Sequence, residues 1–127
     1  MNETSLQDQT SKAVIGAAIE VHRHLGPGLL ESTYESCLIH ELALRNMDYE
    51  AQVRLPVKYK EHVVDSALKI DLIVNKNLIV ELKSVDSINE VHKAQLLTYL
   101  KLSGLRTGLV INFNVKLLKH GILRMVN

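Results

Sequence analysis

The first third of the chain carries hydrophobic residues at the three- and four-residue steps of an amphipathic helix. This spacing predicts one helix over residues 11–24, which the glycine-proline-glycine sequence at 26–28 ends. It predicts a second helix over residues 30–45, followed by Asn46 as a left-handed cap. The two stripes consist of Val14, Ala17, Ala18, Val21 and Leu25, and of Leu30, Tyr34, Leu38 and Leu42.

From residue 51 the hydrophobic period becomes two, which is the period of a strand with one buried face. The predicted strands cover residues 51–60, 64–74 and 78–83, with turns at Glu61-His62 and at 75–77. The first strand is expected near an edge of the sheet because Pro56 cannot donate a ladder hydrogen bond. In the second strand, Leu68, Ile70, Leu72 and Val74 are expected to share one face. The three strands should form an antiparallel meander.

The last part of the chain predicts a third helix over residues 88–103, ended by Gly104. A buried strand over 107–113 and a final strand over 122–126 follow. The predicted order is therefore ααβββαββ. A meander followed by a helical crossover to a buried strand is typical of an α/β sandwich with a mixed sheet.

Length and composition are those of one globular domain. The 127 residues are 46% hydrophobic and 23% charged, which is too apolar for a disordered chain. No repeat, low-complexity tract or linker divides the sequence. A single domain over residues 1–127 is expected, with residues 1–10 as a flexible or helical N-terminal extension.

The net charge of +1 excludes a binder that works by bulk positive charge alone. The charge is unevenly distributed, however. Residues 1–56 hold four basic and eight acidic residues, whereas residues 57–127 hold eleven basic and six acidic residues. The C-terminal half is therefore the favoured face for an anionic partner, although scattered solvated charge explains the same count.

Cys37 is the only cysteine, which excludes an intramolecular disulfide and a zinc site built on cysteines. It lies among apolar helix positions and is expected in the core. No apolar run approaches the roughly 18–20 residues of a membrane span. Residues 1–5 lack the pattern of a signal peptide. We therefore expect a cytoplasmic protein with no membrane contact.

Asp71, Glu81 and Lys83 are the strongest candidates for chemistry. Glu81 and Lys83 are two residues apart on a strand, so they share a face, and charges within a short apolar strand are costly unless paired or metal-bound. The turn at 75–77 makes Asp71 a cross-strand or diagonal neighbour of Glu81. Two adjacent carboxylates favour a Mg²⁺ site, where a lysine can act on water or stabilise charge. A Glu–Lys pair beside a solvated Asp is the structural alternative.

Two predicted helices carry further candidates. His92, Gln95 and Tyr99 lie on one stripe of the third helix. If this helix packs on the charged face of the third strand, Gln95 can bond a ligand and Tyr99 can reach the same pocket; otherwise Tyr99 is core and the other two are surface residues. Glu31 and Tyr34 share a face of the second helix, where Glu31 also suits the helix dipole and Tyr34 suits the core.

The order of these motifs resembles the small GxxExxY family, from about residue 10 to the end of the chain. The signature is Gly28-x-x-Glu31-x-x-Tyr34. The companion motifs are His22-Arg-His-Leu-Gly-Pro-Gly28, Lys69-Ile-Asp71, Val80-Glu81-Leu-Lys83, His92-Lys-Ala-Gln95-Leu-Leu-Thr-Tyr99 and Gly108-Leu-Val-Ile-Asn112-Phe113. The family is placed in the PD-(D/E)XK nuclease-like superfamily. The resemblance therefore implies a three-layer, restriction-endonuclease-like α/β core, with a mixed central sheet and helices on both faces.

The resemblance also implies a set of metal ligands. Asp71 and Glu81 correspond to the metal-binding acids, with the backbone carbonyl of Leu82 as a further ligand. Glu31 resembles the helix-borne acid that serves a second metal or its bound water. The cofactor implied is Mg²⁺ or Mn²⁺.

The same resemblance implies catalytic roles. Lys83 corresponds to the catalytic lysine, Glu31 assists it, and Gln95 resembles the helix residue that follows the Glu-x-Lys strand in many superfamily members. The residues expected to support these groups are Tyr34, His92 and Tyr99.

These expectations predict a metal-dependent nuclease that hydrolyses DNA or RNA. The alternative is a nuclease-like fold that serves as a binding or assembly module without turnover, which the near-neutral charge and the single Phe favour. A domain this small has little surface for gripping a duplex. A second copy or a partner protein would have to help, and a homodimer is the arrangement considered.

Overall fold

The computed structural model describes residues 3–127, with side chains from residue 8 onward. Over that range the chain forms helices and strands in the predicted order, together with a short 3₁₀ helix that the hydrophobic pattern did not indicate. The bounds are α1 Glu3–Leu25, α2 Glu31–Leu44, β1 Tyr49–Tyr59, β2 His62–Val74, β3 Leu78–Lys83, α3 Glu90–Ser103, β4 Thr107–Asn112, the 3₁₀ helix Leu118–Gly121 and β5 Ile122–Val126. Within these residues, no helix combines the length and the apolar character needed to cross a lipid bilayer.

Helix α1 begins eight residues earlier than the hydrophobic pattern predicted. Residues 3–10 are mostly polar, so they carry no stripe that periodicity could detect. Asp8, one of these residues, pairs with Lys12 at 3.3 Å and with Arg124 at 3.7 Å. The predicted N-terminal extension is thus helical where the structure describes it, and its first two residues lie outside the described part of the chain.

The five strands form one mixed sheet in the order β1-β2-β3-β4-β5. All neighbouring pairs are antiparallel except β3 and β4, which run parallel and are joined by α3. A parallel pair needs such a crossover because a tight turn can join only antiparallel strands. The predicted position of β1 at an edge is confirmed.

Helices cover the sheet on both faces. On one face, α1 and α2 pack against Leu78, Val80 and Leu82 of β3. On the other face, α3 packs over Ile79. The predicted mixed central sheet with helices on both faces is therefore confirmed, and β3 has the alternation of faces that its sequence predicted.

Strand β2 does not keep its hydrophobic residues on one face. Ile70 packs on the α3 side, whereas Leu72 packs against α1 and α2. The change occurs at Asp71, where pairing with β3 has ended and where Gln52, in the facing strand β1, has a left-handed φ of 53°. The prediction that the hydrophobic residues from Leu68 to Val74 share one face is therefore wrong.

The turn of the first hairpin lies one residue earlier than predicted. Tyr59 pairs with His62, so the turn is Lys60-Glu61 and His62 begins β2. Lys60 has φ 55°, the left-handed conformation that two-residue hairpin turns use. Asn46 has φ 57° after α2, which confirms the predicted left-handed cap.

Tyr34 fastens the loop that precedes α2. Its hydroxyl donates to the Gly26 carbonyl at 2.5 Å and accepts from the Leu29 N–H at 3.1 Å. Its ring is fully buried and stacks on Phe113 with 4.4 Å between ring centroids. Gly28 supplies a φ of 98°, which other residues rarely adopt. The start of α2 is thereby held beside the C-terminal end of β4.

Replacing Tyr34 by Phe should lower the free energy of unfolding by about 1–2 kcal/mol, because the Leu29 N–H and the Gly26 carbonyl lose a partner in a partly buried loop. Urea denaturation followed by circular dichroism measures this change. Tyr59→Phe is the matched control, because the Tyr59 side chain is 64% exposed. Equal losses in the two variants would show that the loop contact contributes nothing.

Candidate active site

Strands β2 and β3 separate at Asp71 and Glu81. Their ladder covers three residue pairs, of which Leu72 with Val80 is the last. Beyond it, side chains replace the backbone partners: Asp71 Oδ2 accepts from the Leu82 N–H at 2.9 Å, and Glu81 Oε1 accepts from the Asp71 N–H at 3.3 Å. The two carboxyl groups therefore lie side by side where the strands part, as neighbours across the hairpin.

Glu81 is held in an unfavourable environment for a charged carboxylate. Glu81 is 4% exposed to solvent. Burial, and next the negative charge of Asp71, raise the pKa of Glu81 from 4.5 to about 8. Without a bound metal ion, Glu81 therefore carries a proton at neutral pH.

Glu31 reaches this end of the sheet from the first turn of α2. Its Oε1 accepts from the N–H of Ser84, the residue directly after β3, at 3.2 Å. The Ser84 hydroxyl donates to the Leu29 carbonyl at 2.7 Å, which ties the same loop to β3. Glu31 and Asp71 line one open pocket of about 190 Å³. The other lining residues are Ser32, Glu35, Gln52, Lys69 and Leu82.

Lys83 follows Glu81 by two residues on β3, so both side chains point to the α3 side of the sheet. The side chain is half-buried, and its positive charge works against the other influences by lowering the pKa of Glu81. Among the described residues, Lys83 forms no ion pair within 4.0 Å. Lys83 is thus a positive charge near the carboxyl pair that, in the described structure, forms no direct ion pair with either acid.

Asn112 of β4 fixes the chain as it leaves β3. It is 1% exposed, its Oδ1 accepts from the Val85 N–H at 3.1 Å, and its Nδ2 donates to the Val85 carbonyl at 2.9 Å. The N–H of Phe113 donates to the Lys83 carbonyl at 3.0 Å. The backbone around Ser84 is therefore held by hydrogen bonds at the residue before it, Lys83, and at the residue after it, Val85.

Two of the three candidates on α3 lie near the carboxyl pair. The pKa of Tyr99 is raised by burial and next by the negative charge of Glu81. The Tyr99 hydroxyl is therefore close enough to Glu81 for the two groups to interact electrostatically. Gln95 Nε2 donates to Tyr99 Oη at 3.3 Å. His92 is instead used at the start of the helix, where its Nδ1 accepts from the Asn89 N–H at 3.1 Å and completes a capping box.

Four residues of the pocket, namely Ser32, Glu35, Gln52 and Lys69, were not predicted as site residues from the sequence. Glu35 lies four residues after Glu31 on α2, and this spacing alone would have placed both carboxylates on one helix face. Gln52 donates to Glu35 Oε1 at 2.6 Å, and Lys69 completes the wall beside Asp71. Nothing in the alternation of β1 distinguishes Gln52, because its position depends on a left-handed backbone conformation.

The carboxyl pair suits a hard divalent cation such as Mg²⁺ or Mn²⁺. Mg²⁺ is usually held by one or two carboxylates and completes its shell with water and phosphate oxygens. A cation between Asp71 and Glu81 would offset both their repulsion and the burial of Glu81. Among the described residues, no group of three or more His, Cys, Asp or Glu side chains is arranged to hold an ion. The structure therefore brings Asp71 and Glu81 together, while Glu31 stays on Ser84 and does not join them around one point.

A family model described as the PD-(D/E)XK nuclease superfamily matches residues 8–125. No curated protein and no solved structure matches the chain. The matched range contains the carboxyl pair, Lys83 and both helices that flank them. It does not separate the GxxExxY family from the rest of the superfamily.

Replacing Glu81 by Gln should stabilise the metal-free protein at alkaline pH. The folded-state pKa of Glu81 lies above its unfolded value, so the folded protein binds more protons and wild-type stability falls as pH rises from about 4.5 to about 8. At pH 9 the variant should exceed the wild type by about 1–3 kcal/mol, the usual cost of a buried group without a satisfactory partner. Urea denaturation in chelator, from pH 5 to pH 9, measures the difference.

Glu50→Gln is the control, because Glu50 is exposed on β1 and should change stability little at any pH. Added Mg²⁺ should stabilise the wild type at pH 9 more than it stabilises Glu81→Gln. A difference between the Glu81 variant and wild type that does not vary with pH would contradict the buried, proton-binding state of Glu81.

Proposed function

Because the chain belongs to the PD-(D/E)XK nuclease superfamily, we propose that it is a divalent-metal-dependent nuclease that hydrolyses phosphodiester bonds in nucleic acid. The observation that carries this proposal is the convergence of Asp71 and Glu81 where β2 and β3 separate. Lys83 follows on the same face of β3. This arrangement supplies an acid pair and a cation towards the C-terminal end of β3, which pairs with β4 along its whole length.

Asp71 and Glu81 are the residues that would hold Mg²⁺ or Mn²⁺, with the carbonyl of Leu82 as a further oxygen ligand. When bound, a divalent cation polarises a phosphoryl oxygen and lowers the pKa of coordinated water. Glu81 must lose its proton to act as a ligand, so metal binding and proton release are coupled at this residue. The Leu82 N–H fixes the orientation of the Asp71 carboxyl group by donating a hydrogen bond to one of its oxygens.

Lys83 stabilises the negative charge that develops on the phosphoryl group, since it is a half-buried cation without a carboxylate partner in the described structure. Glu31 assists from the first turn of α2. One of its oxygens holds the Ser84 N–H, and it shares the pocket of Asp71, where it can accept a hydrogen bond from the attacking water.

Gln95 and Tyr99 border the carboxyl pair on the α3 side. The amide of Gln95 now donates to Tyr99, and it can donate to a phosphate oxygen in the same place. Tyr34 and His92 act indirectly, by positioning other residues of the site. Tyr34 fastens the loop that leads to Glu31, and His92 caps the helix that carries Gln95.

Nucleic acid is the substrate that the charge distribution favours. The segment from residue 57 to the end has eleven basic and six acidic residues. Lys69 and Lys83 from this segment lie beside the acids that would hold the metal. A cation bound at Asp71 and Glu81 would make this surface more positive still, which suits a polyanionic substrate.

The proposal is tested by incubating the protein with supercoiled DNA and, separately, with RNA in the presence of Mg²⁺ or Mn²⁺. The wild type should nick or cleave at least one substrate, and chelator should stop the reaction. Asp71→Asn and Lys83→Met should each reduce the rate by about 100-fold or more, because each removes an interaction with the charge that develops in the transition state.

Glu50→Gln and Lys101→Met remove the same charges at exposed positions that do not line the pocket of Glu31 and Asp71, and they should leave the rate unchanged. Equal cleavage by the wild type, Asp71→Asn and Lys83→Met would identify a contaminating nuclease and refute the proposal. Absence of both cleavage and heat of Mg²⁺ or Mn²⁺ binding in calorimetry would favour a non-catalytic module.

A further inference from the structure

The outer halves of β1 and β2 form a two-stranded ribbon, residues 53–70, which we call the ribbon arm. Strand β2 pairs with β3 only over Leu72–Val74, whereas it pairs with β1 from His62 to Val74. Residues 58–67 are exposed without exception. The outer part of the ribbon arm, residues 58–67, therefore extends beyond the part of the sheet that the helices cover.

One face of the ribbon arm is cationic. Arg54 lies directly opposite Lys69 in the register. Lys58 shares the face of Arg54, because side chains on one strand face the same way every two residues. Val53 and Leu55 occupy the other face and pack towards α3. The three cations therefore lie on the side that turns away from the α3 core.

No acidic residue of the ribbon arm lies on this cationic face, although Lys69 shares a pocket with Glu31, Glu35 and Asp71. Like charges directly opposite one another destabilise a strand pair. None of Arg54, Lys58 and Lys69 forms an ion pair within 4.0 Å in the described part of the chain. The two acids of the ribbon arm lie elsewhere: Glu61 is in the turn, and Asp65 is in the segment where the register of β2 shifts. Arg54 and Lys58 are exposed and have no ion-pair partner in the described structure, which is the arrangement expected of a surface that binds an external anion.

Lys69 connects the cationic face to the candidate active site. Its side chain lines the pocket that contains Asp71 and Glu31. From this pocket, Arg54 and then Lys58 continue outward along the ribbon arm. The four residue steps from Arg54 to Lys58 cover about 13 Å, so the cations form a track and not a single anion site.

We propose that the ribbon arm binds the phosphate backbone of duplex nucleic acid beside the bond to be cleaved, an inference that rests on the nuclease function proposed above. A two-stranded ribbon fits the major groove of B-form DNA, which is about 12 Å wide. Single strands are the less suitable partner, because they are bound by stacking on a series of aromatic rings, and the ribbon arm has one tyrosine, Tyr59, and no Phe or Trp. Phosphate contacts carry no base information, so the ribbon arm supplies affinity and not sequence specificity.

The test is fluorescence anisotropy of a short labelled duplex in chelator, which prevents cleavage, over a series of salt concentrations. The double variant R54Q/K58Q should bind at least about tenfold more weakly at low salt and should reduce the slope of log affinity against log salt by about 2, since each lost phosphate contact removes close to one unit. R54K/K58R keeps both charges and should bind like the wild type.

K101Q/R106Q is the matched control. It also removes one Lys and one Arg from exposed positions, but these lie beside Thr107, at the opposite end of β3 and β4 from the carboxyl pair. Its affinity should equal that of the wild type. The thermal midpoint of R54Q/K58Q should not fall, because the variant relieves the repulsion between Arg54 and Lys69.

The outcomes separate this inference from the nuclease proposal. Equal weakening by R54Q/K58Q and K101Q/R106Q, no weakening by R54Q/K58Q, or tighter binding of a single strand than of a duplex would overturn the ribbon arm as a duplex-binding surface. Selective loss of duplex binding in R54Q/K58Q supports it, even if the wild type cleaves nothing and the nuclease proposal fails. Cleavage by the wild type together with unchanged binding by R54Q/K58Q would leave the nuclease proposal standing alone.

Discussion

The proximity of Asp71 and Glu81 is the constraint on which the arrangement of this protein depends. Two carboxyl groups repel when both are charged, and Glu81 is also almost fully buried. The pair can exist only because β3 lies between two strands and under helices on both faces, so Glu81 cannot turn towards water. The hydrophobic core thus provides the free energy that keeps an unfavourable polar group in place.

Several contacts hold the surroundings of this pair in one conformation. Asn112 binds the segment after β3, and Tyr34 fastens the loop before α2. Glu31 then joins the two by accepting the Ser84 N–H. None of these hydrogen bonds involves the carboxyl group of Asp71 or Glu81, so the surroundings of the pair are held by contacts separate from the pair itself.

The sequence allowed the central strand and its charged face to be predicted in detail. The alternation from Leu78 to Lys83 gave both the bounds and the faces of β3, because a short apolar strand between a tight turn and a polar loop has few other ways to pack. The prediction that Asp71 and Glu81 are neighbours followed from the position of the hairpin turn. The change of face within β2 could not be predicted, since it depends on the left-handed Gln52 and on where the ladder with β3 ends. The contact of Glu31 with Ser84 joins residues 53 positions apart, and no local pattern encodes it.

Strand β1 also forms an open edge of the sheet. A free edge presents unpaired backbone groups to which a strand of another molecule can add, and this is a common route to aggregation. Pro56 lacks an N–H at the middle of that edge, and Arg54 and Lys58 stand two residues before and after it. The interruption and the repulsion between cations of two approaching copies both oppose strand addition. The residues that we propose to bind a polyanion therefore also oppose edge-to-edge association of the free protein with itself.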